Sequence, residues 1–294
     1  MRTVCIGMVL AGALSFASVP AATWAQTPVA LSNPGETSNK VRTLLRFEEA
    51  PLMLESMKAA PDFMAAEFDF QFKDRMGTEL DRFRTVLDEG LRAPERNAEI
   101  EAQVKAFAPQ DVALISQAET LISGQREMWQ AAERAGRSEA FLRELGPVYD
   151  ARPDKAELER LADLRVSVAL AEQNARALGV FTHIVRSVLL DGPQSLNRVP
   201  DDQWKDGIQQ AYAEVGKDDA YPKTQMARDV ERNRQRILLM GLDAEQVRGL
   251  LAFYESAAGR KWSEELSKAY GERLRALTSE VTIAYVEAVK HRDK

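Results

Sequence analysis

The strongest constraint on the fold is an apolar stripe of helical period near the C-terminus. Trp262, Leu266, Ala269, Tyr270, Leu274, Leu277, Val281, Ala284, Tyr285 and Ala288 recur at helical spacing. Side chains so placed share one face of a helix for about seven turns. A half-buried strand needs alternation with period two, and no stretch of the chain sustains it. Gly271 interrupts the stripe at a cost of about 1 kcal/mol relative to Ala. Lys290, His291 and Arg292 close it with the charge sign that suits a helix C-terminus. A second stripe opens at Pro61 and runs through Phe68, Phe72, Met76, Leu80, Phe83 and Leu87, widened by Phe63, Phe70 and Val86 and ended by Gly90 and Pro94. It reads as packed core rather than as the wall of a ligand groove. The expected class is all-α, a multi-helix bundle, with two similar helical halves as an open alternative.

The remaining elements follow from punctuation. A helix from Lys40 with Val41, Leu44 and Leu45 inside is split at Pro51. Helices are expected over Asn97–Phe107 and over Pro109–Ala135, the latter with Val112, Ile115, Ala118 and Ile122 inside. A short amphipathic piece carries Phe141, Leu142 and Leu145. Gly146-Pro147 and Arg152-Pro153-Asp154 then suggest a division into domains at 40–150 and 151–294. Asp154 is an expected cap for a helix bearing Leu158, Leu161, Leu164, Val168 and Ala171 and running to Leu178; Gly179 loosens it, and Phe181, Ile184, Val185, Val188 and Leu189 continue the apolar face. Asp191-Gly192-Pro193 is a turn. Asp201 caps the next helix, with Trp204, Ile208 and Tyr212 inside and Gly216 closing it, and Lys223–Met240 follows. Val112–Gly124 echoes Val247–Gly259 at an offset of 135, and Arg42–Phe47 echoes Arg176–Phe181 at 134. Duplication and chance likeness both remain open.

The chain is 45% apolar and 29% charged, which is globular composition. Residues 1–25 stand apart. Arg2 precedes an uncharged apolar run from Val4 to Val19, and Thr23-Trp24-Ala25 precedes Gln26. That is the order of a bacterial secretory signal cleaved near Ala25; an uncleaved anchor is the alternative, with a run short for a membrane span. The expected localisation is periplasmic or secreted. Residues 26–39, with Pro28, Asn33, Pro34, Gly35 and Ser38, read as a flexible leader. The one cysteine, Cys5, falls in the signal, so the mature chain is expected to have no disulfide, thiol nucleophile or thiolate ligand. Loss of Arg2 from 39 basic residues leaves 38 against 45 acidic ones, a net charge of −7. An acidic chain suits neither nucleic acid nor anionic lipid. The expected partner is a protein or peptide of the cell envelope, with no stable membrane insertion after cleavage.

The stretch from Leu242 to Trp262 is the densest in local signals. Asp243 is an expected N-cap, Gln246 completes a capping box, and Leu242 and Val247 form a hydrophobic staple. Gly241 is expected to end the preceding helix in a left-handed turn. Val247, Leu250, Leu251 and Tyr254 form one face, Ser256 caps a second helix, and Gly259 permits two backbones to approach. The run through Leu250-Leu251-Ala252-Phe253-Tyr254-Glu255-Ser256-Ala257-Ala258-Gly259-Arg260-Lys261 resembles the signature of a secreted bacterial family, the domain of unknown function numbered 2059. Phe253, Tyr254, Ser256 and Gly259 match it; Ala257 stands where that family usually has proline. The resemblance covers about twenty residues. It implies an exported all-helical protein and assigns no catalytic residue.

Tyr254, Ser256, Arg260, Lys261 and Trp262 are the candidate binding residues. A helix N-terminus offers amides to an anion, the two bases assist, and the rings supply a wall. The alternative is that Asp243, Phe253 and Gly259, with the aromatic rings, simply lock the corner. Arg228, Arg232 and Arg236 stack on one helix face and suggest either an anion site or a solvated surface. Asp201-Asp202 and Asp218-Asp219 are the acidic pairs, read as loop residues before metal ligands. His183 and His291 share no ligand spacing, and His183 reads as a core-edge residue. The chain carries no phosphate loop, nucleotide-binding glycine pattern or nucleophile elbow, so neither a catalytic residue, a metal nor a cofactor is assigned. The reading is a non-enzymatic exported binding protein. The alternatives are a carboxylate-based or metal-assisted hydrolase, and a small-ligand carrier lined by the Phe68–Phe83 helix.

Overall fold

The computed structural model describes residues 34–200, 203–215 and 223–290, and within them it is all-α, with no strand. In chain order the helices are α1 (Pro34–Phe47), α2 (Ala50–Glu55), α3 (Ala60–Leu91), α4 (Ala93–Val104), α5 (Ala113–Arg134), α6 (Ser138–Asp150), α7 (Lys155–Leu164), α8 (Val166–Asp191), α9 (Trp204–Glu214), α10 (Lys223–Leu238), α11 (Ala244–Glu255) and α12 (Ala257–Lys290). They fall into two compact units, each assembled from three separated segments.

Among the described residues the first unit comprises 34–48, Lys105–Arg165 and Val230–Glu264. In it α1 packs on α5, α5 on α6 and α11, and α11 on α7. Val41, Leu44, Ile115, Ala118, Ile122, Leu158, Leu161, Val247, Leu250, Phe253 and Trp262 are fully buried, so the stripes read from sequence meet here. Two glycines mark close approaches. A methyl group at Gly249 would lie 2.7 Å from Leu114, and one at Gly241 would lie 3.4 Å from the Leu121 carbonyl.

The described residues of the second unit lie within Glu49–Val104, Val166–Asp229 and 265–290. In it α3 packs on α8, α2 on α4 and α8, and α9 on α8. Phe83 lies edge-on to Phe181 and Tyr285, with ring centroids 5.1 and 5.6 Å away. Phe68, Leu80 and Leu87 are buried as well. The faces of these side chains are therefore filled by packing.

Several local expectations change. The expected leader already turns helical at Pro34. The stretch α3 continues through Gly90 and ends at Arg92, whose φ of 37° is left-handed. Gly90 instead admits α12, since a methyl there would lie 2.8 Å from Val281. Phe63 is 45% exposed rather than part of the stripe, and the side chains of Phe70 and Phe72 lie outside those described. α6 runs through Gly146 and Pro147 to Asp150, so the punctuation at 146–154 falls within the middle segment of the first unit. The helix expected from Asp154 to Leu178 breaks at Arg165, which is extended (φ −61°, ψ 132°), and Gly179 sits inside α8 against Val215. Leu164 and His183 are exposed. Asp154 gives its carboxylate to Arg152, at 2.9 and 2.6 Å, in place of the amides of α7. Gly241 closes a 3-10 turn without adopting positive φ. Val112–Gly124 is straight helix beyond its first residue, whereas Val247–Gly259 contains the bend at Ser256, so the two echoing stretches differ in conformation. Asp201 and Gly216 lie outside the described residues.

Candidate functional site

The α11–α12 corner is built by short-range capping. Asp243 Oδ1 accepts from the amides of Glu245 and Gln246 at 2.9 and 2.8 Å, and the Gln246 side chain accepts from the Asp243 amide at 3.0 Å. Such a box satisfies donors that the first turn leaves free. Leu242 and Val247 are buried beside it. At the bend, Ser256 is extended (φ −70°, ψ 159°). Its Oγ accepts from the Gly259 amide at 2.9 Å and donates to the Phe253 carbonyl at 2.7 Å. A methyl group at Gly259 would stand 2.0 Å from that same carbonyl. Only a residue without Cβ fits, because the two helix backbones meet there.

The candidate binding side chains are engaged within the first unit. Arg260 donates to the Glu255 carbonyl, capping the end of α11. Lys261 lies 5.5 Å from the centre of the Phe107 ring and 3.6 Å from Glu264. Trp262 is fully buried, and its indole N–H has no hydrogen-bond partner among the described residues. The Phe253 and Tyr254 rings stand edge-on, 5.2 Å apart, and both are buried.

Tyr254 leads to residues that sequence reading passed over. Its hydroxyl donates to Glu48 Oε1. The other carboxylate oxygen, Oε2, accepts from Arg165 Nε at 3.2 Å. Arg165 also donates to the Phe47 carbonyl, and its guanidinium lies 4.0 Å from the centre of the Phe47 ring. The Glu48 and Arg165 side chains are 0% exposed. Burial, followed by the neighbouring charge of Glu48, holds the Tyr254 phenol well above its ordinary range, against the opposing pull of Arg165. The three groups come from three corners: Glu48 between α1 and α2, Arg165 between α7 and α8, and Tyr254 just before the α11–α12 bend. Next to Glu48, the equally buried Glu49 takes a left-handed φ of 59°. A non-glycine residue pays about 1–2 kcal/mol for that conformation. It persists where surrounding contacts fix it. The signal available in the sequence was local: Arg165 stands between Leu164 and Val166, and the pair Glu48-Glu49 stands between Phe47 and Ala50.

The arginine ladder does not converge on a common anion. Arg228 lies 3.4 Å from Glu172, Arg232 pairs with Asp163, and Arg236 donates to Asn233 at 2.9 Å. The acidic pairs Asp201-Asp202 and Asp218-Asp219 lie outside the described residues. Among the described residues, no group of three His, Cys, Asp or Glu side chains is placed to hold a metal, and no helix is long and apolar enough to cross a membrane. No family model, curated protein or solved structure matches the chain.

Proposed function

We propose that the chain is an exported helical protein, periplasmic or secreted after cleavage near Ala25, that binds a protein or peptide of the cell envelope instead of catalysing a reaction. The observation that carries the binding half is the sealed joint. Glu48, Arg165 and Tyr254 have the chemistry of a reactive cluster, yet their side chains are withdrawn from solvent and bonded to one another. A substrate has no access to groups that are 0% exposed. The surface of the second unit, by contrast, presents Leu52, Phe63, Leu190 and Met226, each about half exposed. Large apolar side chains in water are the groups a protein partner buries. The export half rests on Arg2, the Val4–Val19 run and Thr23-Trp24-Ala25. The proposal keeps the resemblance to the family of unknown function 2059, carried by Phe253, Tyr254, Ser256 and Gly259; that each has a packing, steric or hydrogen-bonding task at the corner gives such a motif a physical reason to exist.

Fusion of a reporter active only outside the cytoplasm tests export. The intact chain is expected to deliver activity, and Leu10→Arg, which charges the apolar run, to abolish it. Affinity capture from the exported fraction tests binding. A defined partner lost on Phe63→Asp or Leu190→Asp supports the proposal, and turnover of small esters or peptides by the purified protein without any captured partner contradicts it.

A further inference from the structure

The outer face of α10, one unbroken helix from Lys223 to Leu238, carries an apolar stripe. Met226 and Val230 stand one turn apart and are 55% and 62% exposed. Asn233, exposed, and Ile237, half-buried, continue the same line. Glu231, Gln235 and Leu238 are buried on the other side of the helix, so the stripe points away from the core. The steps 226, 230, 233 and 237 are those of the seam of a two-helix coiled coil. In that register Val230 and Ile237 take the a positions, and Met226 and Asn233 the d positions.

The charges flanking this seam say what fits on it. Asp229 and Arg236 fall at the two g positions, on one flank. A two-fold axis across two antiparallel copies of one helix brings that flank against itself. Val230 then faces the second copy's Asn233, and Asp229 faces the second copy's Arg236, twice by symmetry and with opposite charges each time. Arg236 suits this role: among the described residues its guanidinium bonds the Asn233 side chain alone, at 2.9 Å, and its Nε–H has no partner. The other two arginines of the ladder already hold carboxylates, Glu172 and Asp163. Asp229 accepts from Gln225 at 3.0 Å, and a carboxylate has lone pairs for a guanidinium besides. A parallel pairing would set Asp229 against Arg234, which is committed to Glu231 at 2.7 and 2.9 Å. We propose that α10 is a self-association site, where two copies of this chain pair antiparallel through Met226, Val230, Asn233 and Ile237, with Asp229–Arg236 bridges along one flank. The seam runs along about 17 Å of helix, well short of the roughly 800 Å² per partner of a standard interface, so the dimer is weak and reversible. The inference is independent of export, and Leu52, Phe63 and Leu190, on other helices, are left to an envelope partner.

Sedimentation equilibrium of the intact protein, from about 5 to about 500 μM, is the test. Reversible monomer–dimer exchange is expected, weakened by added salt, which screens exposed bridges. Val230→Asp puts a charge into the seam at a site that is solvent-exposed in the monomer, and is expected to weaken association about a hundredfold or more. Met226→Asp replaces it if that variant does not fold. Asp229→Arg and Arg236→Asp each set like charges against one another and are expected to weaken association about tenfold. Mixing these two single variants in equal amounts is expected to restore it, because every facing pair is then opposite in sign; a helix that is merely destabilised gives no such rescue. A protein that stays monomeric throughout leaves the stripe to a different protein and overturns the proposal. So does a dimer that Val230→Asp leaves intact, or a mixture no tighter than its components.

Discussion

Each unit brings a tyrosine, a glutamate and an arginine together, and the two arrangements differ in where their members come from. In the first, Tyr254 and Arg165 reach Glu48 across sequence separations of 206 and 117 residues, and both charged side chains are 0% exposed. In the second, Tyr285 donates to Glu79 at 3.3 Å across 206 residues, but the cation is Arg82, one turn along the same helix and 20% exposed. A neighbour on the same helix faces its partner whether or not the rest of the unit is assembled, and water reaches it. The first arrangement exists only when three corners are in place, and no water compensates a lost member. The same residue types therefore serve as a fold-dependent joint in one unit and, in the other, as a buried tyrosine–glutamate bond whose arginine lies on the glutamate's own helix and reaches water.

The largest way to break this contrast is Arg165→Met. It leaves Glu48 buried without its cation, a change that costs about 3–5 kcal/mol. Arg82→Met in the second unit is expected to cost less, about 1–2 kcal/mol, because Glu79 is buried but its arginine reaches water. Urea unfolding monitored in both variants checks the difference. Next comes Gly259→Ala, which drives a methyl into the Phe253 carbonyl and forces the α11–α12 bend apart. Overpacking of this kind costs about 1–3 kcal/mol, whereas Arg260→Ala is expected to lie within about 0.5 kcal/mol of wild type; thermal melts in which the two behave alike refute the steric account of the corner.

Removing single hydroxyls sharpens the comparison. Tyr254→Phe deletes a bond to a buried charged carboxylate and is expected to cost about 2 kcal/mol, while Tyr285→Phe, with a longer bond, is expected to cost about 1 kcal/mol or less. The smallest expected effect is a pH dependence at Asp154, whose carboxyl Arg152 holds below the usual carboxylate range. A lowered folded-state pKa means stability that is present above the unfolded value of about 3.9 and fades as pH falls through the folded value. Asp154→Asn should thus differ from wild type at neutral pH and converge with it in acid; a gap that widens toward low pH contradicts the sign.

What the sequence revealed was what local physics decides. Pro51 and Pro61 begin α2 and α3, and Asp243, Gln246 and Ser256 cap where their side chains reach backbone within three residues. Gly259 was legible because Phe253-Tyr254 and Ser256 already implied a bend. Gly90 was misread as an end and Gly179 as a loosening because a glycine that lets a neighbouring side chain approach looks the same in sequence as one that weakens or stops a helix. The break at Arg165 has no local cause in residue type. It is fixed by Glu48 and the Phe47 carbonyl, more than a hundred residues away. For the same reason Tyr254 was visible as a candidate while its partners were not, and Asp154 was assigned to a helix cap that Arg152 had already claimed.

The most direct test of the joint is a double-mutant cycle on Glu48→Gln and Arg165→Met, with unfolding free energies for wild type, both singles and the double. A coupling of at least about 2 kcal/mol, with the double more stable than Arg165→Met alone, is predicted for two charges that rely on each other away from water. Additive costs, with coupling under about 0.5 kcal/mol, would mean that the three corners are held by apolar packing and that the buried pair is incidental.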